Sequence, residues 1–141
     1  MARKLTKILT LGVMVIMALG LFAGCGGNKL SIKDFEGLSD LPANPDRIVF
    51  MTDQLSEDGM QIDKIEVDIP EDKISYVMDT LFSRTYKGLS KNIQIDMTND
   101  YLKVYQGEKC WQFHISLMHS NERWYSPLRE DDLRNYLFSL I

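Results

Sequence analysis

Two histidines, His114 and His119, and the thiol of Cys110 are the side chains in the C-terminal half whose types could carry reactive chemistry. The histidines stand five apart on one extended segment, so they point to opposite faces. A strand pair that chelates one metal ion stands two apart. Cys110 and Met118 add soft ligands without adding geometry, so neither a metal nor a cofactor is expected. A nucleophilic Cys needs a nearby base and an electropositive setting. Neither can be assigned to Cys110, which reads as a small semi-buried side chain. The sequence contains no Gly-x-Ser-x-Gly elbow, P-loop or dinucleotide fingerprint, and no catalytic residue is assigned.

A second grouping is richer. If Leu102, Val104, Trp111 and Phe113 face inward, the period of two brings Tyr101, Lys103, Tyr105, Gln112, His114, Ser116, Arg123 and Tyr125 to the opposite face. Tyrosines with Arg and His make a reasonable recognition surface. The candidate binding face is therefore Tyr101, Lys103, Tyr105, Gln112, His114, Arg123 and Tyr125. The alternative is an ordinary solvated sheet face, covered in part by residues 29–46. Trp111 and Trp124 take core positions by strand phase, which sets them against a sugar-stacking role. Asp53, Glu57 and Asp58 lack the alternating oxygen spacing of a calcium loop.

The elements that must position this face follow from hydrophobic period. Arg47 to Thr52, with Ile48, Val49, Phe50 and Met51, read as a strand, and Ile65, Val67 and Ile69 alternate as a half-buried one. Pro70 suits the first turn of a helix, with Glu71 and Asp72 at its positive end. Ile74, Val77, Met78, Leu81 and Phe82 then form one apolar stripe, and Gly88 is the expected terminator. A meander follows over Ile93–Met97, Leu102–Val104, Trp111–Leu117 and a short strand at Arg123–Tyr125. Gly107 turns the central hairpin. Leu133, Leu137, Leu140 and Ile141 stripe a last helix, with Glu130, Asp131 and Asp132 in its early turns. The expected fold class is α+β, with both helices on one face of an antiparallel meander, in the order β-β-α-β-β-β-β-α.

The N-terminus is of another kind. Arg3, Lys4 and Lys7 precede an uncharged apolar run from Ile8 to Phe22, and Ala23-Gly24 lead into Cys25. A basic head, a short apolar run and a small-residue exit describe an export signal. The run is short for a spanning helix, which needs about 20 apolar residues. Residues 21–25 resemble the lipobox of bacterial lipoproteins, with Phe22 departing from the usual Leu. The resemblance implies that Cys25 receives a diacylglycerol and that residues 1–24 are removed. Two acyl chains then anchor the product stably, at about 0.8 kcal/mol per buried CH₂. Gly26 is not Asp, which in a two-membrane bacterium implies the outer membrane. In a single-membrane one the place is the outer leaflet of the plasma membrane. Residues 25–46 read as the lipidated Cys and a tether, part of which can dock, and residues 47–141 as one small domain. The strand, helix, meander and terminal helix behind the lipobox resemble small uncharacterised lipoproteins of Gram-positive bacteria.

Charge narrows the partners. Three of the 16 basic residues lie in residues 1–24 and none of the 20 acidic ones do, so residues 25–141 carry 13 against 20, a formal charge of −7. That disfavours nucleic acid and a polybasic grip on anionic lipid. The expected partners are the membrane, through the lipid on Cys25, and an envelope protein. With Cys25 acylated, Cys110 has no disulfide partner in the chain. The remaining 117 residues suit one domain and are too few for a two-lobed solute-binding protein. The leading expectation is a lipid-anchored, non-catalytic binding module on the extracytoplasmic side. A small enzyme or accessory acting on cell-wall material, or a self-protection lipoprotein, are the alternatives.

Overall fold

The computed structural model describes residues 29–90 and 99–141. Residues 1–28, with the expected export signal and Cys25, lie outside the described residues, as does the strand expected over Ile93–Met97. The fold is α+β. In chain order the elements are β1 (Lys29–Leu30), β2 (Arg47–Leu55), β3 (Ile62–Asp68), α1 (Glu71–Ser83), β4 (Tyr86–Gly88), β5 (Tyr101–Gln106), β6 (Lys109–His114), β7 (Met118–Ser120), β8 (Arg123–Pro127) and α2 (Leu133–Phe138). The strands form two four-stranded antiparallel sheets, a first in the order β1-β4-β8-β7 and a second in the order β3-β2-β5-β6.

The division into two sheets, where alternation implied one continuous meander, has a local cause at His114. Its Nδ1 accepts the backbone N–H groups of Ser116 and Leu117, each at 3.0 Å. This bends the chain out of β6 and delivers it to β7 in the other sheet. Trp111 to Leu117 is therefore not one strand, and His114 and His119 stand in different sheets. A second hairpin follows, its turn made by Asn121 and Glu122 at φ 48° and 61°. Two adjacent residues of positive φ suit the twist of a two-residue hairpin.

Helix α1 follows its sequence pattern. Ile74, Val77, Met78 and Leu81 are buried, with Pro70 at the N-cap and Glu71 and Asp72 in the first turn. It ends at Ser83, earlier than Gly88. That glycine lies instead in β4, where a Cβ would come within 2.5 Å of the Arg123 guanidinium. Helix α2 begins at Leu133, so Glu130 and Asp131 precede it and do not occupy its early turns. Phe138 of α2 meets Phe50 of β2 edge-on at 5.3 Å, and Tyr136 meets Tyr76 of α1 at 4.9 Å. Both helices thus lie side by side against the inner face of the second sheet, the face of Ile48, Phe50, Leu102, Val104, Trp111 and Phe113.

Among the described residues the packed body already includes segment 29–46, ahead of the expected start at residue 47. Ile32, Phe35, Leu38 and Leu41 are all buried in the common core. Phe35 sits edge-on to Tyr86 and Tyr125, at 5.1 and 5.5 Å between ring centres. Such pairs add about 0.5–1.5 kcal/mol beyond their buried area. Asp40 fastens the far end, accepting the Trp111 indole N–H at 3.0 Å and pairing with Lys109. The hydrogen bonds from Lys109 and Trp111 hold the Asp40 carboxyl below its usual range. No helix among the described residues is long and apolar enough to cross a membrane.

Candidate functional site

The outer face of the second sheet is built by register. In β5, Tyr101, Lys103 and Tyr105 stand opposite His114, Gln112 and Cys110 of β6 and opposite Met51, Val49 and Arg47 of β2. Residues directly opposite in an antiparallel pair share a face. On the far side Glu66 and Asp68 of β3 stand opposite Met51 and Val49. Four of the candidate residues, Tyr101, Lys103, Tyr105 and Gln112, are therefore neighbours on this face. They lie beside residues that strand patterning could not supply: Arg47, Met51, Asp53, Glu66 and Asp68.

The face is held by paired charges. Arg47 grips Asp68 with two nitrogens, at 2.5 and 3.0 Å, and its guanidinium lies 5.4 Å from the Tyr105 ring centre. The hydrogen bonds from Arg47 hold the Asp68 carboxyl low, against a smaller opposing effect of burial. Lys103 reaches Glu66 at 3.4 Å. Below these pairs Val49 is almost wholly covered. Exposed ion pairs contribute little to stability, so their main effect here is to order the side chains.

One end of the face is concave. Strand β5 starts at Tyr101, opposite Met51, while β2 and β3 remain paired to Leu55 and Ile62. Among the described residues the sheet steps from four strands to a two-stranded arm. Beside the step lies a hollow of about 260 Å³, lined by Met51, Asp53, Lys64, Glu66, Asn99, Tyr101 and Gln112 together with Thr52 and Ile65. The Asn99 amide donates to Asp53 across its rim. Tyr101 is fixed edge-on against His114, 5.3 Å between ring centres.

The other candidates stand elsewhere. His114 is on this face by register but is 6% exposed, and its Nδ1 is committed to the Ser116 and Leu117 amides. That commitment assigns the proton of the neutral ring to Nε2. Tyr125 is buried in the first sheet against Phe35, the reverse of its expected phase. Its neighbour Trp124 is only half-buried, beside His119. Arg123 crosses Gly88 and donates to the Leu89 carbonyl at 3.3 Å. Cys110 is exposed on edge strand β6. Among the described residues, no three His, Cys, Asp or Glu side chains converge to hold a metal ion.

A second polar centre was not legible. Arg84 leaves α1 for the interior, donates to the Ile115 carbonyl, and meets Asp131 through Nε and Nη2 at 2.5 and 2.7 Å. A larger, open hollow of about 740 Å³ lies over it, lined by Arg129, Glu130, Asp132 and Arg134 among others. Arg84 and Asp131 satisfy each other, which makes the pair a structural clasp joining the segments that follow α1 and β6 to the one that precedes α2.

Comparison with protein-family models, with curated proteins and with solved structures returns no match. The functional reading therefore stands on the geometry of this chain.

Proposed function

We propose that this chain is a lipid-anchored cell-envelope protein that binds its ligand through the outer face of the second sheet. The observation that carries the reading is the concave step beside Tyr101, as the described residues form it. There an aromatic ring, two amides and charges of both signs line one concavity. Segment 29–46, which could have covered this face, packs into the core instead. The anchoring half of the reading rests on the lipobox-like residues 21–25. Surfaces that bind combine aromatic anchors with oriented polar groups, whereas an inert sheet face needs only solubility.

The test takes two variants of the full chain in its native host. Cys25→Ala should move the protein from the membrane to the soluble fraction. An unchanged distribution would remove the anchor. A photoreactive phenylalanine analogue in place of Gln112, which is exposed on the face, should give a discrete adduct on irradiation of intact cells. The same analogue in place of Lys73, on exposed α1, should not. Equal adducts at both positions, or none at 112, would overturn the binding role of the face.

A further inference from the structure

We infer that the hollow beside Tyr101 is a saccharide subsite that takes one uncharged pyranose ring. This rests on the reading of the outer face as the binding face, and adds the class of ligand.

Size sets the first limit. Ligand pockets typically run about 300–1,000 Å³, so a hollow of about 260 Å³ is at the scale of a single ring. Charge sets the second. Asp53 and Glu66 line the hollow, Lys64 lines it as well, and Lys103 neutralises Glu66 from the side. Among the described residues acids and bases balance, so neither a phosphate nor an ammonium group finds a net complementary field there. An apolar ligand would strip water from five charged or amide side chains without replacing its hydrogen bonds.

A polyhydroxylated ring meets both limits. Its hydroxyls donate and accept, as do the Asn99 and Gln112 amides. Asp53 and Glu66 accept from hydroxyls, and Lys64 donates to them. The C–H face of a pyranose is apolar and rigid, and Tyr101 with Met51 supplies the flat apolar patch for it. The site is also pre-ordered. Asn99 is tied to Asp53, and Tyr101 is wedged against His114. Little side-chain freedom is left to lose on binding. The long dimension of the face, past Lys103 to Tyr105 and Arg47, is open for further rings of an oligosaccharide.

The experiment is saturation-transfer NMR on the full chain in detergent micelles. The probes are the β-1,4-linked tetramer of N-acetylglucosamine and a glucose tetramer, with putrescine as the cationic comparison. Saturable transfer to ring protons of at least one tetrasaccharide is expected. Tyr101→Ala should weaken it about two- to tenfold, the range of one aromatic contact. Gln112→Ala, at an exposed position that the fold does not need, should also weaken it, and Glu108→Ala should not. Transfer to neither sugar, transfer to putrescine alone, or binding indifferent to both Tyr101→Ala and Gln112→Ala would overturn the subsite. If position 112 gives its adduct in cells while neither sugar binds, the face keeps its binding role and the saccharide assignment falls. If both fail, the binding role itself falls.

Discussion

Arg84 follows directly on α1 and turns inward, where its guanidinium is 5% exposed against an Asp131 side chain at 25%. Burial alone would weaken the charge on both partners. The hydrogen bonds between them prevail, so the Asp131 carboxyl sits below its ordinary range. Breaking such a pair on one side leaves an uncompensated buried charge, at a cost of about 3–5 kcal/mol. Arg84→Met should therefore lower the stability measured by urea unfolding by about that amount. Arg84→Met combined with Asp131→Leu should recover much of the loss. The depressed Asp131 value also fixes a sign. Its stabilisation is complete above the unfolded carboxyl value and is lost as pH falls through the lower folded one. The unfolding midpoint should drop on acidification below about pH 4, the unperturbed Asp value, and Asp131→Asn should flatten that drop. Close by, the Tyr86 hydroxyl is buried without a hydrogen bond of good geometry. Removing a poorly satisfied group is nearly neutral or stabilising. Tyr86→Phe should shift the same midpoint little or upward, and a clear loss would show that its contact with Arg84 matters.

At the scale of elements, segment 29–46 behaves as part of the core. Phe35→Ala should cost about 3–5 kcal/mol, as for other buried aromatics, where a free tether would register almost nothing. Gly107 opens the two-residue β5–β6 turn at φ 58°, so Gly107→Ala should destabilise by about 1 kcal/mol through backbone strain. Equilibrium unfolding checks both. The helix over residues 71–83 and the inward set Leu102, Val104, Trp111 and Phe113 were legible, because period 3.6 and period 2 are imposed by burial on one face. What was not legible depends on contacts distant in sequence or on one side chain's hydrogen bonds. Alternation runs unbroken through His114 to Leu117, so nothing in the pattern marks the bend that Nδ1 makes. Arg123, Trp124 and Tyr125 are all long and amphipathic, and either phase satisfies the pattern. Tyr101, Lys103, Tyr105 and Gln112 were found because they share one hairpin. Arg47, Asp53 and Glu66 were missed because only the pairing of β2 with both β5 and β3 brings them alongside.

The whole molecule shows where its surface is unfinished. The arm formed by the ends of β2 and β3 exposes Leu55, Met60 and Ile62, at 66%, 86% and 68% of their full areas. These side chains stabilise nothing in the body. Changing all three to Ser should leave the thermal midpoint of the full chain almost unmoved, within about 0.5 kcal/mol per site. A large drop would mean that the arm folds back on a neighbour. The first sheet carries a different consequence. Its outermost strand, β1, begins at Lys29, four residues beyond Cys25. Fully stretched, that connection spans roughly 14 Å. A fatty-acylated Cys25 would keep the body on a short leash, hugging the headgroup layer with no freedom to roam outward. Reach would then screen its encounters before affinity could, admitting only what comes close to the membrane surface.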